Sequence, residues 1–318
     1  MKEVQVIIVG GGPAGAACAW QLIKKGRECL VLDKQAFPRQ KTCAGWITPR
    51  VLADLEFDPG DYPYQLSEYA CLQVSIRGVP LLIPGKQYAI RRWEFDHWLL
   101  ERSCAPVKTH AVEDIRRDGT DFILDETYRC EALIGAGGTH CPVYHSLFKG
   151  EQSRQEDQRI VALEEEYAYS WHAGRPRLWF LDDGLPGYSW YVPKAGGYVN
   201  IGVGGNAAVL KARGESIHNH WHKLLERLLR KKLVEERKFQ PEGYVYYLRG
   251  SQEAFNRGNA YLVGDAAGLA TRDMGEGIGP AVQSGLRAAK AILTGKPYDL
   301  DSIRRLSLLP DFLRWVVE

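Results

Sequence analysis

A short, almost uninterrupted apolar run lies near the start of the chain, from Val4 to Val9. Such a run predicts a central parallel strand that is buried on both faces. Pro13 to Lys25 has small residues on one side and is followed by glycine, which predicts a helix. Glu28 to Asp33 reads as a second strand, so these segments predict a β-α-β unit.

The periodicity changes along the rest of the chain. Residues 151–205 alternate and are rich in Tyr and Trp, which predicts antiparallel strands. Elsewhere the pattern predicts helices over 93–103, 215–232 and 276–294, and buried strands over 132–136 and 259–264. We therefore predict an α/β nucleotide-binding domain, Rossmann-like, that is interrupted by an inserted antiparallel β-sheet domain.

Domain boundaries follow from these changes in pattern. The first domain is predicted to be discontinuous and to comprise residues 1–70, 90–150 and 250–300. The inserted substrate domain is predicted to comprise residues 71–89 and 151–249, and residues 301–318 are predicted to form a C-terminal helix.

Composition narrows the class of protein. The chain has 318 residues and a net charge of +2, so its charge does not indicate nucleic-acid binding. No apolar run approaches the roughly 18–20 residues that span a bilayer. The seven cysteines form no C-x-x-C pair, which favours reduced thiols in a cytoplasmic protein. The basic residues 230–232 and the leucine-rich 306–317 leave peripheral membrane contact open.

Three histidines raise the question of a metal site. His218 and His222 are four residues apart and could share a helical face, but His220 would point away from both. No third ligand is evident nearby, so we predict no metal.

The glycine-rich turn after the first strand fits the pattern G-x-G-x-x-G. Gly10 permits a tight turn, Gly12 lets the backbone approach a pyrophosphate, and Gly15 lets the helix pack closely. The helix that begins at Pro13 and Ala14 points its N-terminus at the phosphates. Asp33 ends the second strand, where a carboxylate binds ribose hydroxyls. An acid at this position favours FAD or NAD over NADP.

A second motif separates FAD from NAD. Gly264 and Asp265 follow a predicted strand, and Gly275, Gly277 and Ile278 open a helix. Asp265 can accept hydrogen bonds from ribityl hydroxyls, and the helix N-terminus can meet the negative charge of reduced flavin. NAD needs neither feature, so we predict FAD.

The sequence resembles the geranylgeranyl reductase family, within the flavoprotein superfamily that has the para-hydroxybenzoate hydroxylase fold. Besides the two glycine motifs, four stretches carry the resemblance: "FPRQKTCAGWITPR", "RRWEFDHWL", "LIGAGGTHCPV" and "GYSWYVPKAGGYVNIGVG". It implies an FAD-binding domain of the glutathione-reductase type with a β-sheet substrate domain. It also implies further cofactor-binding residues: Lys34, Arg39, Cys43, Ala44, Gly45, Arg92, Val112, Gly137 and Gly138.

Two departures from the family pattern bear on the chemistry. The superfamily's second nucleotide motif usually reads Ala-Asp-Gly, but here Gly137 replaces the aspartate. This change argues against direct, fast use of NADPH. Ala44 replaces a glycine of the family's Cys-Gly-Gly, which lies beside the flavin ring.

The resemblance implies three candidate catalytic residues, Cys43, Tyr188 and Trp190. For Cys43 the alternatives are a proton donor, a flavin contact or a small packing residue. Tyr188 and Trp190 either form a half-buried sheet face or an apolar wall for a flat or prenyl substrate. Arg92 is either a flavin contact or an exposed arginine at a helix start.

These features predict an FAD-dependent oxidoreductase that reduces C=C bonds of a small apolar prenyl substrate. The insert shows no obvious charged clamp for a carboxylated substrate. One alternative is a monooxygenase of an aromatic or quinone substrate, and another is a flavin-binding electron-relay protein without catalysis. The electron donor is either NAD(P)H or a reduced ferredoxin-like protein.

Overall fold

The computed structural model describes residues 1–150, 154–171, 174–250 and 255–307. The strands are Lys2–Val9 (β1), Cys29–Asp33 (β2), Trp46–Ile47 (β3), Ser67–Ile76 (β4), Val79–Ala89 (β5), Val107–Thr109 (β6), Ile115–Asp118 (β7), Asp121–Leu124 (β8), Tyr128–Gly135 (β9), Arg159–Ala168 (β10), Arg177–Phe180 (β11), Gly187–Lys194 (β12), Tyr198–Asn206 (β13), Glu242–Tyr247 (β14), Asn256–Arg257 (β15) and Ala260–Leu262 (β16). The helices are Pro13–Lys24 (α1), Pro49–Asp54 (α2), Arg92–Arg102 (α3), Pro142–Leu147 (α4), Ala207–Ala212 (α5), Ile217–Arg230 (α6) and Ile278–Thr294 (α7).

The chain divides into two compact, discontinuous units. The first comprises Met1–Arg39, Trp93–Gln155 and the chain from Tyr247 onward, and the second comprises Gln40–Arg92 and Glu156–Tyr246. The prediction that residues 40–70 belong to the nucleotide-binding domain is therefore wrong. They join the second unit because β3 and β4 both pair with β5 in its sheet.

A parallel sheet forms the centre of the first unit. Its strands lie in the order β16-β9-β1-β2-β6, and all these neighbours are parallel. The predicted β-α-β unit is confirmed, with β1 pairing with β2 from Val6 to Val9. Because the strands are parallel, the segments that follow β1, β2, β9 and β16 meet at one edge of the sheet.

Helices α1 and α7 pack against each other at unusually short range. A Cβ placed on Gly285 of α7 would lie 2.1 Å from the carbonyl oxygen of Ala14 in α1. Only glycine at this position lets the two backbones approach so closely. This packing fixes the start of α1 relative to α7, and both helices begin at the sheet edge where the two glycine motifs lie.

The second unit is built on a sheet of order β14-β10-β13-β12-β11-β4-β5-β3. Strands β10, β13, β12 and β11 are antiparallel, as predicted, whereas β11 and β4 are parallel. Leu224 and Leu228 of α6 pack against one face of this sheet, on a buried cluster that includes Ile201 and Val203. Because side chains alternate along a strand, Asn200, Gly202 and Gly204 belong to the opposite face.

The described part of the C-terminal segment does not form the predicted helix. Residues 301–307 contain turns and no helix, and residues 308–318 of the predicted C-terminal helix lie outside the described residues. Within the described part of the chain, no helix is both long enough and apolar enough to cross a membrane.

Candidate functional site

The glycine turn after β1 is held in a conformation that side chains would prevent. Gly10 has a φ of +112°, and a Cβ there would lie 2.4 Å from the carbonyl oxygen of Ala136. A Cβ on Gly15 would lie 1.9 Å from the carbonyl oxygen of Gly10. The turn therefore packs directly on the segment that follows β9, which contains the predicted second nucleotide motif.

Asp33 lies at the end of β2 beside this turn. Its Oδ2 accepts a hydrogen bond from the backbone N–H of Gly11 at 2.8 Å, and its Oδ1 accepts one from Gln35 at 3.0 Å. A carboxylate has about four acceptor positions, so these two bonds leave capacity for ribose hydroxyls. The backbone bonds fix the orientation of the carboxylate in the position predicted for ribose binding.

Arg39 lies between two carboxylates at the same place. Its guanidinium is 4.0 Å from Asp33 and 3.8 Å from the buried Asp96 of α3. One of its terminal nitrogens lies 3.5 Å from where a Cβ of Gly12 would be. Arg39 thus places positive charge against the glycine turn, as expected of a residue near the pyrophosphate. Lys41, two residues further along the chain, belongs to the second unit, where its ammonium lies 3.0 Å from the centre of the Tyr244 ring.

The second glycine motif surrounds Asp265 after β16. Gly264 has a φ of +58°, and its backbone N–H donates to the hydroxyl of Ser284 in α7 at 2.9 Å. A Cβ on Gly277 would lie 3.2 Å from Oδ1 of Asp265. Asp265 and the start of α7 are therefore neighbours. The prediction requires this, because Asp265 would accept from the ribityl hydroxyls while the N-terminus of α7 faces the flavin ring.

Glu276 modifies the prediction for the N-terminus of α7. Its Oε1 accepts a hydrogen bond from the backbone N–H of Gly279, so a carboxyl group already occupies part of that helix end. Burial raises the pKa of Glu276 to about 7. The sequence reasoning treated residues 275–279 as a glycine turn and did not consider this side chain.

Arg154 is a residue that sequence reasoning missed. Its guanidinium donates to the carbonyl oxygens of Thr139 and Ala266, the latter at 2.7 Å. It also lies 3.7 Å from the centre of the Tyr144 ring. Arg154 therefore ties the loop after β9 to the loop after β16, and so connects two of the nucleotide motifs. No local pattern marks it, because both acceptors are backbone atoms that are distant in sequence.

The residues at this sheet edge fit FAD. Helix α1 begins after Gly12, and no side chain caps its N-terminus among the described residues. Its first N–H groups are therefore available to an anion such as a pyrophosphate. The two glycine motifs also predict close backbone packing at Gly10 and Gly15 and carboxylates at Asp33 and Asp265 for dinucleotide binding. Both features are present at this edge.

The other predicted cofactor residues fall into different surroundings. Lys34 is exposed after β2, Val112 belongs to the apolar core, and Ile278 is buried at the start of α7. Gly137 and Gly138 lie in the loop after β9, which Arg154 holds. Arg92 is 8% exposed, so its interpretation as an exposed arginine is wrong. Their roles toward FAD stay predictions.

A group of aromatic rings lies on one face of the second unit's sheet. The ring of Tyr188 stacks on Phe180, with centroids 4.8 Å apart, and contacts Trp190 at 5.5 Å. Gly202 on the neighbouring strand makes room for the indole, since a Cβ there would lie 2.1 Å from the Trp190 ring. We call Tyr188, Trp190 and Gly202 the aromatic face.

Asn200 connects the aromatic face to a buried polar group. Its Oδ1 accepts a hydrogen bond from Nε1 of Trp190 at 2.7 Å. Because an indole can only donate, this bond fixes the amide orientation and turns Nδ2 toward other acceptors. Nδ2 lies 3.4 Å from Oε1 of Glu164 and 3.4 Å from the carbonyl oxygen of Cys43.

The loop that contains Cys43 thus lies next to this polar group. The backbone N–H of Gly45 donates to Sγ of Cys43 at 3.4 Å. Gly45 has a φ of +71°, and a Cβ there would lie 1.9 Å from the carbonyl oxygen of Ile90 and 2.7 Å from Nζ of Lys194. The structure therefore brings Cys43, Ala44 and Gly45 to the same face as Trp190, and the catalytic roles of Cys43, Tyr188 and Trp190 stay predictions.

Charged groups also lie on this face. Lys194 is 1% exposed and pairs with Glu166, which also accepts from Nε of Arg91 at 2.8 Å. Burial alone would raise the pKa of Glu166, but Lys194 and Arg91 outweigh it and lower the pKa. Glu166 pairs with both cations, so neither is free of a partner to clamp a carboxylated substrate.

The fold and the glycine motifs define a dinucleotide-binding flavoprotein. Residues 5–103 match the sequence profile described as FAD dependent oxidoreductase. An uncharacterized protein of Methanosarcina barkeri is 30% identical over 92% of this chain and 75% of its own length. The chain belongs to the geranylgeranyl reductase family of FAD-dependent oxidoreductases.

Named relatives differ in how much of their length is matched. A menaquinone reductase of Mycobacterium tuberculosis is 32% identical over 64% of this chain, and the match spans 55% of that protein. A geranylgeranyl diphosphate reductase of Rhodobacter capsulatus is 27% identical over 95% of this chain and 79% of its own.

Solved structures share the fold. A geranylgeranyl bacteriochlorophyll reductase-like protein of Thermoplasma acidophilum has a TM-score of 0.77 at 20% identity, over 93% of this chain and 80% of that chain. A flavin-dependent brominase has a TM-score of 0.75 at 19% identity, over 94% of this chain and 81% of that chain. At these identities the likeness is one of fold alone.

We expect Asp265→Ala to weaken FAD binding by about 1.5–3 kcal/mol, the usual contribution of a hydrogen bond to a charged group. Cys43→Ala should change FAD affinity less. Titration of the apoprotein with FAD, followed by flavin fluorescence, measures both. Affinities in the opposite order would contradict the assignment of Asp265 as the ribityl acceptor.

We expect Arg154→Met to lower the free energy of unfolding by about 1–3 kcal/mol, because two backbone carbonyls lose a buried donor. FAD affinity should fall with it, since the two loops lose their connection. Arg159→Met is the matched control, because Arg159 is 39% exposed and pairs only with Glu156 among the described residues. Equal unfolding midpoints and FAD affinities for the two variants would show that Arg154 does not hold the loops.

Proposed function

We propose that this protein reduces C=C bonds of a prenyl chain with FAD as its cofactor. Family membership supports the reaction class, since relatives are named for reduction of geranylgeranyl diphosphate and menaquinone. Both molecules carry an isoprenoid chain, so a prenyl substrate is the chemistry that these names share.

The observation that carries the proposal is the aromatic face. Trp190 lies over Gly202 with little of its surface exposed, and Tyr188 continues the surface beside it. Flat aromatic rings suit an apolar chain better than a charged substrate.

The same face suits the difficult step of the reaction. When bound and reduced, FAD would supply the hydride for such a reduction. An isolated alkene accepts hydride poorly until a proton has been added to one of its carbons, which leaves positive charge on the other. The π faces of Tyr188 and Trp190 can stabilise such a cation by about 0.5–2 kcal/mol.

The test supplies substrate to enzyme that was reduced with dithionite without oxygen. Geranylgeranyl diphosphate and menaquinone are the two probes. After the products are reoxidised in air, which returns any quinol to the quinone, mass spectrometry should find a gain of two hydrogen atoms per reduced double bond. If neither is reduced, while an aromatic substrate gains one oxygen atom in air, the protein is a monooxygenase and the proposal is wrong.

A variant connects this activity to the aromatic face. Tyr188→Leu should slow single-turnover reduction by about two- to thirty-fold, which corresponds to the loss of about 0.5–2 kcal/mol of cation–π stabilisation. Tyr64→Leu, which removes an exposed ring in the same unit, is the control. Equal rates for the two variants would contradict a role for this face.

A further inference from the structure

Glu164 occupies a distinctive position beside the aromatic face. It lies in β10 directly opposite Gly202 of β13, which in turn lies opposite Trp190 of β12. A Cβ built on Gly202 would be 2.1 Å from the Trp190 ring and 2.8 Å from Cβ of Glu164. The indole and the Glu164 side chain therefore flank one glycine, on the face opposite to α6.

The carboxyl group of Glu164 is buried and sparsely bonded. The residue is 5% exposed, and within the described residues the one hydrogen bond of its carboxyl group is the long one from Nδ2 of Asn200, at 3.4 Å. A buried carboxyl group normally has more partners than this. The remaining acceptor and donor capacity is therefore available to a bound molecule.

Burial of the carboxyl group favours the neutral acid, against the nearby lysines. The pKa of Glu164 is raised to about 7, mainly by burial with a small contribution from Glu166, and Lys194, Asn200 and Lys41 partly oppose the shift. Lys194 and Arg91 are engaged with Glu166, and the Lys41 ammonium lies over the Tyr244 ring. Two carboxyl groups on one face thus have pKa values shifted in opposite directions, an arrangement typical of acid and base pairs in active sites.

We propose that Glu164 is the acid that protonates the alkene of the substrate, an inference that rests on the proposed function. The Glu164 O–H bond breaks, its proton forms a C–H bond at one alkene carbon, and the π electrons supply that bond. The other carbon becomes electron-deficient, and reduced FAD, when bound, would supply the hydride with its electron pair. The Glu164 carboxylate then recovers a proton from solvent, so each double bond consumes one hydride and one proton.

Three variants test this assignment in the holoenzyme. Dithionite-reduced enzyme is mixed with geranylgeranyl diphosphate without oxygen, and the return of oxidised-flavin absorbance gives the single-turnover rate. Glu164→Gln should lower this rate by about 10²–10⁴-fold, the usual contribution of a general acid. Glu164→Asp should recover part of it. Glu165→Gln is the matched control, because Glu165 lies on the same strand but is engaged elsewhere, by the backbone N–H of Gln240 and the guanidinium of Arg237.

The pH dependence separates a proton donor from a structural residue. In the wild type the rate should fall as pH rises through about 7, where Glu164 loses its proton, and in Glu164→Gln this fall should disappear. A Glu164→Gln enzyme with wild-type rate, or with the wild-type pH profile, overturns the inference.

Protein stability supplies a readout that does not require turnover. The pKa of Glu164 is raised on folding, so its contribution to stability is present at low pH and is lost as pH rises through about 7. Glu164→Gln should therefore gain stability relative to wild type between pH 5 and pH 8, whether or not prenyl substrates react. If that gain is seen but no prenyl probe is reduced by the wild type, the proposed function fails and the assignment of Glu164 to this reaction fails with it. If the gain is absent, Glu164 is not the neutral acid, even where the wild type reduces the probes.

Discussion

The second unit depends on the absence of a side chain at Gly202. A Cβ there would lie 2.1 Å from the Trp190 ring, so any other residue would force the indole to move from its present position. The position of the indole directs its N–H at Asn200, and the bond fixes the amide that faces Glu164 and the Cys43 loop. One glycine therefore sets the geometry of both the aromatic surface and the polar group beside it.

In the first unit, close packing at a glycine likewise determines the geometry, but there it shapes the sheet edge that suits a dinucleotide. The close approach of Gly10 to Ala136 brings the segments after two parallel strands together, and Arg154 extends the connection to the loop of Asp265. These contacts leave backbone N–H groups and two carboxylates at one sheet edge, which suits a dinucleotide. In the second unit, the polar group formed by Asn200 and Glu164 lies among the sheet, the Cys43 loop and the ion pairs of Glu166. We propose for it the role of an acid and not of a phosphate-binding surface.

Periodicity and glycine spacing predicted much of this fold, because buried parallel strands and amphipathic helices are local patterns. The assignment of residues 40–70 was wrong because strand pairing between distant segments leaves no local signal. Glu164 was missed because it lies in the run Glu164-Glu165-Glu166, which suggests a solvated surface. Strand alternation places Glu164 and Glu166 on one face and Glu165 on the other, and this signal could have been used. Burial and the partners of each carboxylate were not accessible from the sequence.

The most direct test compares Gly202→Ala with Gly204→Ala. A Cβ on Gly204 would lie 3.6 Å from the Trp190 ring, an ordinary contact, whereas one on Gly202 cannot be accommodated without moving the indole. The measurement is the anaerobic single-turnover rate of dithionite-reduced holoenzyme with geranylgeranyl diphosphate, with FAD affinity determined for both variants. We expect Gly202→Ala to lose at least about tenfold in rate, or about 1.4 kcal/mol, with FAD affinity retained, and Gly204→Ala to remain close to wild type. Equal, wild-type rates for the two variants would contradict the account.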